Sequence, residues 1–235
     1  MNKLTVIIPA RSGSKRLTDK NIYPLAGKPL VFYTIDAAIG HPEVSYILFT
    51  SDSLKYIDMV EKEYGKKVIC IHRPIETASD KTKVTDEIKR LIIEEPEYFE
   101  SGWFSVLLPT APLRNFSVLK SCIDRYKMTQ TALFSCHKHD FPPQFSFGIK
   151  DDKWYPLFGD DSPMVTGNTR SQDIAQMYRP NGAIYIQKVE TFLKRKIFYD
   201  DAIPFIMDQE VSIDIDTLQD INYCEYIMNN SGLDS

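Results

Sequence analysis

The first 136 residues alternate short apolar runs with stretches of helical period, and this constrains the fold more than any other feature. Residues 4–9, 46–50, 67–71, 104–109 and 131–135 read as buried strands. Between them, 29–39, 54–64, 82–95 and 117–126 read as helices. The third carries Val84, Ile88, Leu91 and Ile92 at i, i+4, i+7 and i+8, a single apolar stripe. Pro29 suits a first helical turn, where its missing N–H costs nothing. Such alternation predicts an α/β chain, a mostly parallel sheet flanked by helices.

After Cys136 the pattern breaks. Residues 137–178 are rich in proline and aromatics and hold no sustained period, too long a stretch for a plain connection. Phe141, Phe145, Phe147, Trp154, Tyr155 and Phe158 need apolar cover. We therefore expect one domain over 1–235 with an arm at about 138–178 that packs on a second copy, making a homodimer. Regular structure resumes with a strand at 182–187, a short helix at 189–194, and strands at 203–207 and 211–215. A last helix at 217–229 has Leu218, Ile221, Cys224 and Met228 on one stripe.

A chain of 235 residues with net charge −4 has no broad basic face for nucleic acid. No apolar run approaches the roughly 20 residues that span a bilayer. Met1-Asn2-Lys3 runs straight into a strand, unlike a signal peptide. The four cysteines are scattered, with no CxxC pair, and read as reduced thiols of a cytoplasmic protein.

Basic charge is local instead. Leaving the first strand, Arg11, Lys15, Arg16 and Lys20 crowd one loop against a single acid, Asp19. Gly13, with the small Ser12 and Ser14, lets backbone N–H groups approach an anion, and Arg11 and Lys15 add full charge. A solvated basic loop is the plainer alternative. The loop is neither a Walker A sequence nor a GxGxxG turn. Near the other end, Ser212-Ile213-Asp214-Ile215-Asp216 alternates with period two, so both carboxylates share one face of a strand. Oxygen ligands of this kind suit Mg²⁺. Alternatively, Asp216 caps the final helix, with Gln219 completing a capping box. The histidines (His41, His72, His137, His139) read as loop or surface residues.

Pro9-Ala10-Arg11-Ser12-Gly13-Ser14-Lys15-Arg16, Lys20-Asn21 and Leu25-Ala26-Gly27-Lys28-Pro29-Leu30 resemble the signature of sugar nucleotidyltransferases. More narrowly, they resemble the cytidylyltransferases that activate sialic acids and related nonulosonic acids. The resemblance recurs at Arg73-Pro74 with Ala78-Ser79-Asp80, at 108–114, at 178–185 and at 212–217. It implies a Rossmann-like nucleotidyltransferase fold and transfer of CMP from CTP to a nonulosonic acid, releasing pyrophosphate. By the same resemblance, Arg11, Ser14 and Lys15 hold phosphates, Lys20 approaches the α-phosphate and Asn21 the nucleotide. Arg73 and Ser79 would read cytosine, and Asp214 and Asp216 would carry Mg²⁺. Leu108, Thr110, Arg170, Arg179 and Tyr185 fall on the sugar side.

That side departs from the family's pattern. Leu108 stands where the sialic acid enzymes often have Gln, Gln144 where a Lys is usual, and Ser171 where the best alignment wants Arg, with Arg170 one residue away. Two rival readings follow: a nucleotidyltransferase for another sugar, such as Kdo or pseudaminic acid, or a nucleotide-binding protein without catalysis.

Overall fold

The computed structural model describes residues 3–74, 76, 82–168, 170–195 and 197–230. In chain order they form β1 (Leu4–Pro9), β2 (Pro24–Leu25), β3 (Lys28–Pro29), α1 (Leu30–Ala38), β4 (Val44–Ser51), α2 (Leu54–Tyr64), β5 (Ile69–His72) and α3 (Val84–Glu94). There follow β6 (Trp103–Val106), α4 (Phe116–Thr129), β7 (Ala132–Lys138), β8 (Phe147–Lys150), β9 (Lys153–Pro156) and α5 (Pro163–Thr166). The chain ends with β10 (Tyr178–Lys188), α6 (Val189–Arg195), β11 (Ala202–Ile206) and α7 (Leu218–Asn230).

Seven strands form one sheet in the order β11-β7-β10-β6-β1-β4-β5. β1 pairs parallel with both β4 and β6, β4 with β5, and β7 with β11, whereas β10 runs antiparallel to β6. Both faces of the sheet are covered, and this is why successive residues Val6, Ile7 and Ile8 of β1 are all apolar. Val6 and Ile8 point into a cluster with Val31 and Ile35 of α1, Tyr56 and Val60 of α2, and Leu119 and Ile123 of α4. Ile7 points the other way, into Leu48, Phe104, Ile88 and Leu91 of α3 and Phe192 of α6. From β1 the chain adds β4 and β5 on one side and β6 on the other. In such a sheet the switch between directions leaves a crevice beyond the carboxyl ends of the strands.

Compactness divides the chain into two units, residues 1–136 with 181–235, and residues 137–180. Within the second, β8 and β9 pair as a hairpin whose turn residues, Asp151 (φ 49°) and Asp152 (φ 59°), both adopt the left-handed conformation that two-residue hairpins demand. Gly148 lies opposite Tyr155, whose ring would stand 2.3 Å from an added Cβ, so no larger residue fits without moving that ring. Phe141, Phe147, Trp154 and Tyr155 are all exposed, between 48% and 59%.

Three expectations need correction. Residues 211–215 form no strand: the Ile215 N–H donates to the Thr110 carbonyl at 2.7 Å and the Ser212 N–H to the nearby Gln209 carbonyl, and no ladder forms among the described residues. Ile215 is fully buried between β2, Leu113 and α7, but Ser212, in step with the two acids, is buried as well. The cap of α7 is Thr217, not Asp216 with Gln219; Thr217 and Asp220 exchange hydrogen bonds, and Asp220 Oδ2 also accepts the Asp216 and Thr217 N–H groups. Finally, His41 and His137 are buried. His41 Nδ1 accepts the Glu43 N–H and its ring lies 5.0 Å from that of Phe116, while His137 Nε2 accepts Arg179 Nε–H at 2.7 Å. Cys122, Cys136 and Cys224 are buried free thiols and Cys70 is half-buried.

Candidate active site

The first loop leaves β1 at the carboxyl edge of the sheet and is fixed at three points. Ser12 donates both its N–H (2.9 Å) and its hydroxyl (2.7 Å) to the carboxylate of Asp52, just past the end of β4. Asn21, buried, donates its amide to the Arg11 carbonyl at 2.8 Å. At the far end Asp19, with φ 54°, accepts from the Tyr56 hydroxyl at 2.8 Å and Lys55 at 3.0 Å, and these two donors hold its carboxyl below the usual range.

This corrects part of the sequence reading. The Ser12 N–H is committed to Asp52 and the Ser14 N–H to the Ser12 carbonyl, so neither is turned out toward an anion. Asn21 likewise braces the loop's own backbone. Gly13 does face open space, since an added Cβ would meet nothing within 4 Å. Lys15 is exposed and Arg11 half-buried, at the same loop.

The loop and the late acidic segment meet, although they lie at opposite ends of the sequence. Lys20 Nζ donates to Asp216 Oδ1 at 2.8 Å and to the Ile215 carbonyl at 2.7 Å, and Arg16 Nη1 lies 2.9 Å from Asp216 Oδ2. Asp214 points past Thr110, whose side chain hydrogen-bonds it. Asp214 has solvent access, yet the protein around it displaces enough hydration to push its carboxyl above the ordinary range, and the charge of Asp216 adds to this. Thr110 and Lys20 with Arg16 act the other way.

A cation placed between the carboxylates would relieve both the dehydration and the repulsion, so the donor set fits Mg²⁺, which takes one or two carboxylates and keeps its other ligands as water or phosphate. Among the described residues no group of three or more His, Cys, Asp or Glu has a metal-holding arrangement, so such a cation would rest on this pair.

Arg73 follows β5 at the same edge. Its N–H donates to the Ser51 carbonyl at 3.0 Å, and its side chain is buried. Under it lies Glu87 of α3, whose own side chain has no exposure. Glu87 accepts from the Thr50 hydroxyl at 2.6 Å and from Arg90 Nη2 (2.8 Å) and Nε (3.0 Å), and stands 3.9 Å from Arg73 Nε. Burial pulls the Arg73 guanidinium down from its usual value while Glu87 and Asp52 hold it up. Ser79, the other residue matched to cytosine recognition, lies outside the described residues.

On the sugar side, Leu108 follows β6 and reaches over the backbone of Gly182, with its Cδ1 3.0 Å from where a Cβ would stand; Gly182 has φ 72°. Tyr185 is a core ring, stacked on Phe198 at 4.4 Å, with its hydroxyl 3.5 Å from that of Tyr199. Arg170 and Arg179 belong to the second unit. Both are exposed, Arg179 on His137, and the Arg170 N–H donates to Asn168 Oδ1 at 3.2 Å. In the same unit Gln144 is buried, donating to the Ala175 carbonyl.

Sequence reasoning missed Asp52 and Glu87, and it placed Arg16 in the basic cluster without giving it a partner. A signal existed for Glu87, since it falls on the apolar stripe of α3 between Val84 and Leu91, where a carboxylate needs a partner. Nothing local marked Asp52.

Residues 5–217 match the family profile described as Cytidylyltransferase. The N-acylneuraminate cytidylyltransferase of Streptococcus agalactiae serotype III is 35% identical over 225 residues, which are 91% of this chain and 50% of that protein. The chain thus spans about half the length of that relative. The CMP-N,N'-diacetyllegionaminic acid synthase of Legionella pneumophila is 30% identical over 234 residues, covering 96% of both chains. Among solved structures, a CMP:2-keto-3-deoxy-manno-octonic acid synthetase complexed with CTP superposes with TM-score 0.67 at 14% identity, over 98% of this chain and 100% of that one. The mostly parallel seven-stranded sheet, the basic loop beyond β1 and the match over residues 5–217 lead to one assignment: this chain belongs to the cytidylyltransferase family.

Proposed function

We propose that the protein transfers CMP from CTP to a sialic acid or related nonulosonic acid, giving the CMP-sugar and pyrophosphate. The observation that carries this reading is the contact of Lys20 and Arg16 with Asp216, which joins a basic loop to an acidic pair at the carboxyl edge of a parallel sheet. A triphosphate needs the first and a divalent cation the second. A sugar hydroxyl attacks the α-phosphorus in line, the bond from that phosphorus to the bridging oxygen breaks, and pyrophosphate leaves. Charge builds on phosphoryl oxygens, so positioning and electrostatic stabilisation do most of the chemistry.

Arg11 and Lys15 hold the β- and γ-phosphates. Lys20, held by Asp216 and the Ile215 carbonyl, offers its third N–H to the α-phosphate. Ser14 and Asn21 shape the loop around the nucleotide, while Arg73 and Ser79 read the base. Asp214 and Asp216 hold Mg²⁺, which supplies charge neutralisation to the phosphates. Thr110 and Tyr185 serve the sugar. Free thiols, three of them buried, suit a cytoplasmic setting.

The test is pyrophosphate release from CTP and Mg²⁺ with a panel of nonulosonic acids, including pseudaminic acid, and with Kdo. Turnover with a nonulosonic acid other than pseudaminic acid is the expected result. Absence of release with all of them, from protein that binds CTP, would overturn catalysis, and turnover with Kdo or pseudaminic acid alone would move the substrate to the rival reading.

Leu108 favours a narrower reading, an acid with a deoxy or methyl group where N-acetylneuraminic acid carries a hydroxyl. A buried hydroxyl left without a partner costs about 1–3 kcal/mol, roughly 5- to 150-fold in discrimination. Leu108→Gln should shift preference toward N-acetylneuraminic acid. Wild-type protein using N-acetylneuraminic acid as well as its 7,9-dideoxy relatives would refute this.

A further inference from the structure

Glu87 has no place in the reaction described so far, yet it is one of the most completely enclosed charges in the molecule, with 1% of its surface exposed. A carboxylate this deep is costly unless paired. Arg90, three residues on, supplies one partner through a two-pronged contact on the same helix. That pair alone would satisfy α3 locally. Two further contacts reach outside the helix, to the Thr50 hydroxyl near the end of β4 and to Arg73 after β5. Both residues sit at the carboxyl edge, on neighbouring strands paired in parallel. The contact with Arg73 is a charge contact at 3.9 Å, too long for a hydrogen bond.

We infer that Glu87 is a positioning residue which aims Arg73 at the nucleobase, with Thr50 holding the Glu87 carboxylate in place. The inference rests on the reading of Arg73 as the base-recognising arginine. Neutralising Glu87 removes the carboxylate shared by buried Arg73 and part-exposed Arg90, and with it the charge that holds the Arg73 guanidinium in place.

Titration calorimetry with CTP and with UTP tests this without requiring the acceptor sugar. Arg73→Ala should weaken CTP binding and lower the CTP-over-UTP preference by at least about tenfold, the scale of a lost charged hydrogen bond. Glu87→Gln should lower that preference by a similar factor in the wild-type background and by nothing further in the Arg73→Ala background. A purely structural role predicts equal losses in both backgrounds, and that outcome overturns the inference. If Arg73→Ala leaves the preference unchanged, the base reading itself fails and takes this inference with it. Should Glu87→Gln fail to fold, Thr50→Val removes one hydroxyl at nearly constant volume. It should lower the preference about threefold with Arg73 present, and an unchanged preference would overturn the inference.

Discussion

Lys20 is 15% exposed at its side chain and bound at once to a carboxylate and a carbonyl, an arrangement that aims its ammonium while leaving it one proton to offer. Lys20→Ala should lower kcat/KM for both substrates by at least about 2 kcal/mol, roughly 30-fold, because a charge-stabilising donor is lost. Steady-state kinetics at saturating Mg²⁺ will read it, and wild-type values would return the loop to a solvated basic surface.

The buried histidines make a second residue-scale prediction. Burial lowers His41 and His137 from the ordinary 6.5, with the Arg179 charge adding at His137. The unfolded chain therefore binds more protons than the folded one below about that pH. Stability contributed by these imidazoles is complete above pH 6.5 and falls as acid drives the pH down from there toward the folded-state values. His41→Asn, whose amide oxygen can replace Nδ1 as acceptor for the Glu43 N–H, should flatten that acid limb in a series of thermal melts.

At the scale of elements, residues 212–217 divide two jobs that lie one position apart. Thr217 caps α7 with Asp220, leaving the Asp216 carboxylate to Lys20 and Arg16. Thr217→Ala should cost about 1 kcal/mol of stability in denaturant titration. Asp216→Ala and Asp214→Ala should abolish turnover without that loss, since neither carboxylate caps the helix. A full rate at limiting Mg²⁺ in either variant would remove the pair from metal binding. The loop after β1 shows the same division: Ser12 is consumed by Asp52, while Gly13 faces open space.

For the whole molecule, the unit at residues 137–180 carries a set of exposed aromatics far richer than the remainder of the surface needs. Phe141, Phe147, Trp154 and Tyr155 are each about half exposed or more, and soluble monomers rarely leave such patches uncovered. We propose that a second copy covers them. Sedimentation at low micromolar concentration should give a homodimer, and replacing Trp154 and Phe147 by Ser should shift it to monomer. A fully active wild-type monomer would rule the arm out as a dimer contact. No helix among the described residues is long and apolar enough to cross a membrane.

What the sequence alone determined is what depends on near neighbours. The strand–helix alternation gave α2 at Leu54–Tyr64 to the residue and the other main elements of the first 136 residues within a few positions, because burial on one face imposes a local period. Charge crowding in residues 11–20 and the carboxylates at 214 and 216 were legible for the same reason. Tertiary structure decided the rest. Ser12 meets Asp52 across 40 residues and Lys20 meets Asp216 across 196, and no local pattern encodes either pairing. Ile213 and Ile215 alternate with the two acids as a strand would, yet a ladder needs a neighbour with free N–H and C=O groups, and the fold supplies only the Thr110 carbonyl. Histidines at 41 and 137 are buried by chain segments that the sequence around them does not reveal. Glu87 lies between these cases, since its place on an apolar stripe announced burial, and only the packing of α3 against the ends of β4 and β5 supplied Thr50 and Arg73.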